Sequence, residues 1–229
     1  LSAVDAVNPQ DETFQMAREG GVTCVCTGPG SSNVIGGTFC AIKTYGKRVD
    51  DMLVKEKTAM KIAFGENPKN CYKEKGVYSR MSVAAKLREA LTKAKIYDTK
   101  LHAAGCPEGW NELEMEQAQE QVMDDSQKTD ADRKVDFSKM EALLPVIRGE
   151  MPLKAHAHRA DDIYTAIRIA KEFHVDLRID HTTDGALIAD DLAKEGFPVA
   201  VGPSFGHATK YELRHKGFHT PAALAKAGC

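Results

Sequence analysis

Between residues 137 and 203 the sequence switches regularly between two hydrophobic periods, and no other feature constrains the fold as much. Residues 137–148 carry a helical pattern, 153–158 a strand, 160–173 an amphipathic helix, 175–181 a strand, 185–195 a helix and 198–203 a strand. A strand and a helix recurring every roughly 22 to 25 residues mark βα units, which lay parallel strands into one sheet and pack helices over it. The expectation is an α/β chain on a parallel β/α barrel of the TIM type, partial, with up to six of its eight strands represented.

The 229 residues suit a single domain of this kind, residues 1–229 as one unit. Hydrophobic residues at 42% and charged residues at 28% are ordinary for a folded globular chain, excluding the disordered and membrane-embedded classes. A net charge of −2 leaves no electrostatic footprint for nucleic acid or anionic lipid. No apolar run approaches the roughly 18 residues that cross a bilayer, and no basic leader precedes an apolar core, so a cytoplasmic location is expected. Cys24, Cys26, Cys40, Cys71, Cys106 and Cys229 form no CxxC pair. They read as reduced thiols, with Cys24 and Cys26 in a buried strand.

The first half is less regular. Residues 11–19 predict a helix that Gly20 and Gly21 end, and 22–26 a short buried strand. The glycine-rich run 28–37 predicts a loop at that strand's carboxyl end; it is neither a dinucleotide fingerprint nor a P-loop. Residues 60–64 predict a strand, closed at 65–68 because Pro68 biases Asn67 away from helix. Residues 82–95 predict a helix, and the Glu- and Gln-rich stretch at about 98–136 a polar insertion.

The chemistry concentrates at strand ends. His156 and His158 close one predicted strand, His181 the next, and His207 follows the third. Side chains two apart on a strand share a face, and parallel barrel strands exit at one mouth, so distant residues meet there. Neutral imidazole is a common ligand of zinc, and catalytic zinc sites combine three protein ligands with a water. Taken singly, a strand-end histidine is more often a hydrogen-bonded polar group. Asp161 and Asp162 begin a helix, where negative charge is favourable, and need no catalytic role.

As an ordered set, the segments 21–37, 61–69 and 154–163, then Asp180-His181 with Gly185, then 198–203, resemble imidazolonepropionase-like members of the metal-dependent amidohydrolases. The resemblance covers most of the chain outside the polar stretch. It implies a divalent ion, zinc by expectation, and hydrolysis of a C–N bond in a cyclic amide or related small-molecule substrate. His156 and His181 match the histidines ending the fifth and sixth barrel strands, which bind metal or position substrate, and His158 lies on the same face. Glu66 is the expected carboxylate ligand at an earlier strand exit. Lys61 is its alternative, although a strand lysine is more often solvated at a barrel's exterior. His181 and His158 are the expected catalytic residues, Arg159 would orient an anionic group, and Ser31, Ser32 and Asn33 would contact substrate. The family's first-strand HxH pair would precede residue 1 and its last-strand aspartate would follow residue 229, so the chain reads as a fragment.

Two other readings compete. One is a catalytically inactive barrel fragment serving as a binding or assembly module, a homo-oligomer joined through open sheet edges. The other is an unrelated α/β enzyme whose strand-end histidines point apart.

Overall fold

The computed structural model describes residues 1–103 and 130–229, with side chains described outside 130–136. In chain order the elements that position the site are α1 (Glu12–Glu19), β1 (Cys24–Thr27), β2 (Ile35–Lys43), α2 (Val49–Met52), β3 (Leu53–Ala63), α3 (Glu66–Tyr72) and α4 (Arg80–Ala103). They continue with α5 (Asp130–Ile147), β4 (Leu153–Ala157), α6 (Ala160–Phe173), β5 (Leu177–His181), α7 (Ala189–Glu195), β6 (Val199–Val201) and α8 (His219–Ala227).

The strands form one sheet in the order β1-β2-β3-β4-β5-β6. From β3 onwards every pairing is parallel, as the βα rhythm requires, but β1–β2 and β2–β3 are antiparallel. The sheet is therefore mixed, which corrects the all-parallel expectation. The source of the error is β2. Its opening Gly36 and Gly37 read as loop, whereas the chain is already in strand at Ile35, with a bulge between Ile35 and Gly37. Gly37 has φ of 126°, a conformation open to glycine, so it marks that irregularity rather than a turn. A second correction concerns β1: Cys24 and Cys26 are exposed because the strand lies at an edge of the sheet, and Cys40 on β2 is the buried thiol. These three, Cys71 and Cys229 are free; Cys106 lies outside the described residues.

Strand alternation sorts the parallel half into two faces. Met60, Ile62, Leu153, Ala155, Ala157, Leu177 and Ile179 point to one side. There they pack with Leu87 and Leu91 of α4 and Ile163, Ile167 and Ile169 of α6 in one continuous core. The opposite face carries Lys61, Lys154, His156 and Asp180, aligned by the registers Lys61↔Lys154 and His156↔Asp180. The burial of one face drives the folding, and the other is left free to carry chemistry. Tyr97 and Leu101 of α4 pack with Phe137, Met140 and Leu144 of α5 as a separate cluster. The predicted polar insertion thus begins and ends in helix, at α4 and α5; its central residues, 104–129, lie outside the described residues. Among the described residues no helix is long and apolar enough to cross a membrane.

Candidate metal centre

His156 is the next-to-last residue of β4, on the polar face, and His158 follows two residues later on the same side, as their spacing dictates. His181 ends β5 and pairs with Ala157, which points into the apolar core, so plain alternation would turn its ring away. The backbone prevents this. His181 and Thr182 have φ of 74° and 46°, in a region that residues with a side chain adopt reluctantly, and the turn brings the ring back to its neighbours. The ring centroids stand 4.7 Å apart for His156–His158, 4.6 Å for His156–His181 and 4.7 Å for His158–His181. One ligand atom from each histidine lies within 4.8 Å of the others, a group able to hold a metal ion. The histidines converge, which removes the basis for reading them as unrelated strand-end groups.

Neighbouring groups fix how the imidazoles present themselves. The Gly202 carbonyl accepts from His181 Nδ1 at 2.7 Å, so that nitrogen carries the proton and Nε2 keeps its lone pair. Lys210, a donor only, donates to Asn67 Oδ1 at 3.0 Å, which turns the Asn67 amide nitrogen toward His156 Nε2 at 3.4 Å. His156 Nε2 is then an acceptor too. His158 Nδ1 is held by the Thr183 hydroxyl at 2.7 Å. Burial lowers the pKa of His156 to about 4, though the Glu212 carboxylate pulls the other way. Burial also takes His158 to about 3, helped by repulsion from His156 and His181, and lowers His181. All three rings are neutral near pH 7, with nitrogen lone pairs available to a Lewis acid. His156 Nδ1 is buried and has no hydrogen-bond partner, so the cluster is not a finished hydrogen-bond network.

The other expected residues fall in different places. Glu66 is the first residue of α3, and its Oε1 accepts from the Glu212 amide at 3.0 Å rather than joining the histidines. The carboxylate beside them is Glu212, with Oε1 at 3.8 Å from Nε2 of both His156 and His158. Glu212 is completely buried and pairs with Lys210. Burial alone would raise its pKa, but His156, Lys210 and the Glu66 amide outweigh that and hold it at about 2.

Lys61 is 4% exposed, not solvated at the exterior as a strand lysine was expected to be. Its Nζ lies 3.9 Å from Asp180 Oδ2, and Lys154 pairs with the same carboxylate at 2.5 Å. Burial lowers the Lys61 pKa against the pull of Asp180. Arg159 immediately precedes α6 and donates to Asp161 at 3.1 and 3.0 Å, while Asp161 and Asp162 both pair with Arg80 at the start of α4. Ser31, Ser32 and Asn33 lie just ahead of β2; Val34 accepts from the Ala63 amide, which sets them at the exit of β3, the end of the sheet that carries His156. His207 is exposed in the loop after β6.

Sequence reasoning missed Lys210, Glu212 and Asn67. Asn67 stood in a turn already singled out. Lys210 and Glu212 follow β6 in a stretch without hydrophobic period, and only their alternation around Tyr211 hinted that they share a side.

No protein-family model and no curated protein matches this chain. The crystal structure of an amidohydrolase from Thermotoga maritima MSB8 matches it at 38% sequence identity with a TM-score of 0.79, over 99% of this chain and 54% of that one. The chain spans about half the length of that amidohydrolase.

Proposed function

From the premise that the chain belongs to the amidohydrolase superfamily, we propose that it carries the metal-binding core of a hydrolase acting on a C–N bond in a cyclic amide or related small molecule, as in the imidazolonepropionase-like group. The observation that supports this best is the triangle of neutral, buried imidazoles at the exits of β4 and β5. The four parallel strands β3 to β6 are read as one arc of a β/α barrel, whose chemistry gathers where the strands exit.

His156, His158 and His181 would hold a divalent ion, zinc by the nitrogen donor set, which when bound polarises a carbonyl and lowers the pKa of water to about 7. The chain's own groups do the rest. The Gly202 carbonyl and the Thr183 hydroxyl orient two of the rings, as outer partners of ligating histidines do. Asp184 steadies the exits of both strands: its amide donates to the His158 carbonyl at 2.8 Å, and its carboxylate accepts from the Ala160 amide and pairs with His215. In this reading His158 and His181 border the reacting carbonyl. Arg159, one residue beyond His158, orients an anionic substrate group with the part of its guanidinium that Asp161 leaves open, and the loop bearing Ser31, Ser32 and Asn33 contributes polar contacts.

Elemental mass spectrometry on protein purified without chelator tests this. The expected result is about one zinc or similar divalent ion per chain, lost in His156→Ala. A chain that takes up no divalent ion would contradict the proposal.

A further inference from the structure

A buried carboxylate is costly unless its charge is met, and Glu212 is met in an unusual way. It sits on the short turn Tyr211–Leu213 after β6 and is fully buried. Two reciprocal hydrogen bonds clasp it to the start of α3: Glu66 N donates to Glu212 Oε2 at 2.9 Å, and Glu212 N donates to Glu66 Oε1 at 3.0 Å. Oε2 is thereby committed, and Oε1 is turned to the histidines, equidistant at 3.8 Å from Nε2 of His156 and His158.

At those distances neither ring donates to it, and Oε1 is a buried oxygen without a hydrogen bond of acceptable geometry, although the Lys210 ammonium lies against it. His156 Nε2 already faces the Asn67 amide as an acceptor. An anionic oxygen therefore faces an imidazole nitrogen across an open 3.8 Å gap, and the Lys210 ammonium is the cation that now meets its charge. Ligand atoms bonded at about 2.0 to 2.1 Å in a tetrahedral site stand roughly 3.4 Å apart, so shifts of a few tenths of an ångström would bring Oε1 to ligand spacing from each nitrogen.

We propose that Glu212, carried in by the loop after β6, is a further ligand of the metal ion held by the histidines, and that Lys210 is the cation it exchanges for that ion. The inference rests on the metal-centre reading. It changes the role of Glu66, whose carboxylate and amide serve as the clasp that aims Glu212, and it makes the loop after β6 part of the binding site. Arrival of the ion would displace the Lys210 ammonium, which Asn67 Oδ1 is placed to retain.

The experiment is zinc affinity by chelator competition, with the visible spectrum of the Co2+-substituted protein, on wild type, Glu212→Gln and Lys210→Met. The amide oxygen of Gln can still accept from Glu66, so the clasp is kept. Loss of an outer partner typically weakens metal binding about 10- to 100-fold, and loss of a ligand should exceed about 100-fold and alter the Co2+ bands. Lys210→Met should bind zinc more tightly than wild type. Wild-type affinity and Co2+ bands in Glu212→Gln would overturn the role of Glu212 while leaving the histidine site standing. No zinc uptake by wild type would overturn both readings. Should Glu212→Gln fail to fold, Lys210→Met decides: tighter binding supports the exchange and unchanged binding overturns it.

Discussion

Asp162 shows how a single residue at the rim of this site responds to its surroundings. Its side chain is 2% exposed, and burial raises its pKa from 3.8 to about 6 even though Arg80 pairs with it. The folded chain thus binds this proton more tightly than the unfolded chain does. The group favours folding fully below about pH 4, and that contribution is lost as pH rises through about 6. Asp162→Asn cannot titrate. Its stability relative to wild type should therefore rise between pH 4 and 7, by an amount on the order of 3 kcal/mol, whatever the constant offset from Arg80. Denaturant unfolding of both proteins across that window measures it, and a pH-independent difference would count against the assignment. The histidines have the opposite sign: their folded pKa values are depressed, so their contribution is lost as pH falls from about 6.5 through 4.

At the level of elements, the junction of β3 and α3 links backbone geometry to the site. Gly65 has φ of 83° and ψ of −144°, a region essentially reserved for glycine, and a Cβ there would overlap Glu212 Oε2. Gly65→Ala should cost about 1 to 3 kcal/mol and weaken metal binding as well, because the clasp that aims Glu212 is pushed open. Thermal unfolding and zinc titration on the same preparation check both; wild-type values in each would dismiss the linkage. Elements also show what the residues alone could reveal. The βα units after residue 137 were legible because each strand buries one apolar face, so its period survives in the sequence. β2 was hidden by Gly36 and Gly37, and the first part of β3 by the exposed run Lys55-Glu56-Lys57, which carries no burial signal. His156 and His158 were readable from their spacing. The inward turn of His181 depends on two residues with positive φ, and Glu212 reaches the site through a loop, so neither geometry has a periodic trace.

Across the whole molecule, the candidate centre is assembled by topology from parts distant in sequence. Asn67 enters with α3, His156 and His158 with β4, His181 with β5, and Lys210 and Glu212 from the loop after β6. Parallel pairing from β3 to β6 makes these exits adjacent, while α4 and α6 cover the apolar face and leave the polar face to the histidines. The match to the Thermotoga maritima amidohydrolase extends over 99% of this chain, so the mixed sheet with its helices is a framework the two chains share. The central claim is that this framework gathers the histidines around one ion. Anomalous X-ray diffraction from zinc-soaked crystals, recorded above and below the zinc edge, tests it most directly. The account predicts a single strong peak about 2.0 to 2.1 Å from a ring nitrogen of each of His156, His158 and His181. Zinc peaks only elsewhere on the surface, with the three rings unliganded, would contradict it.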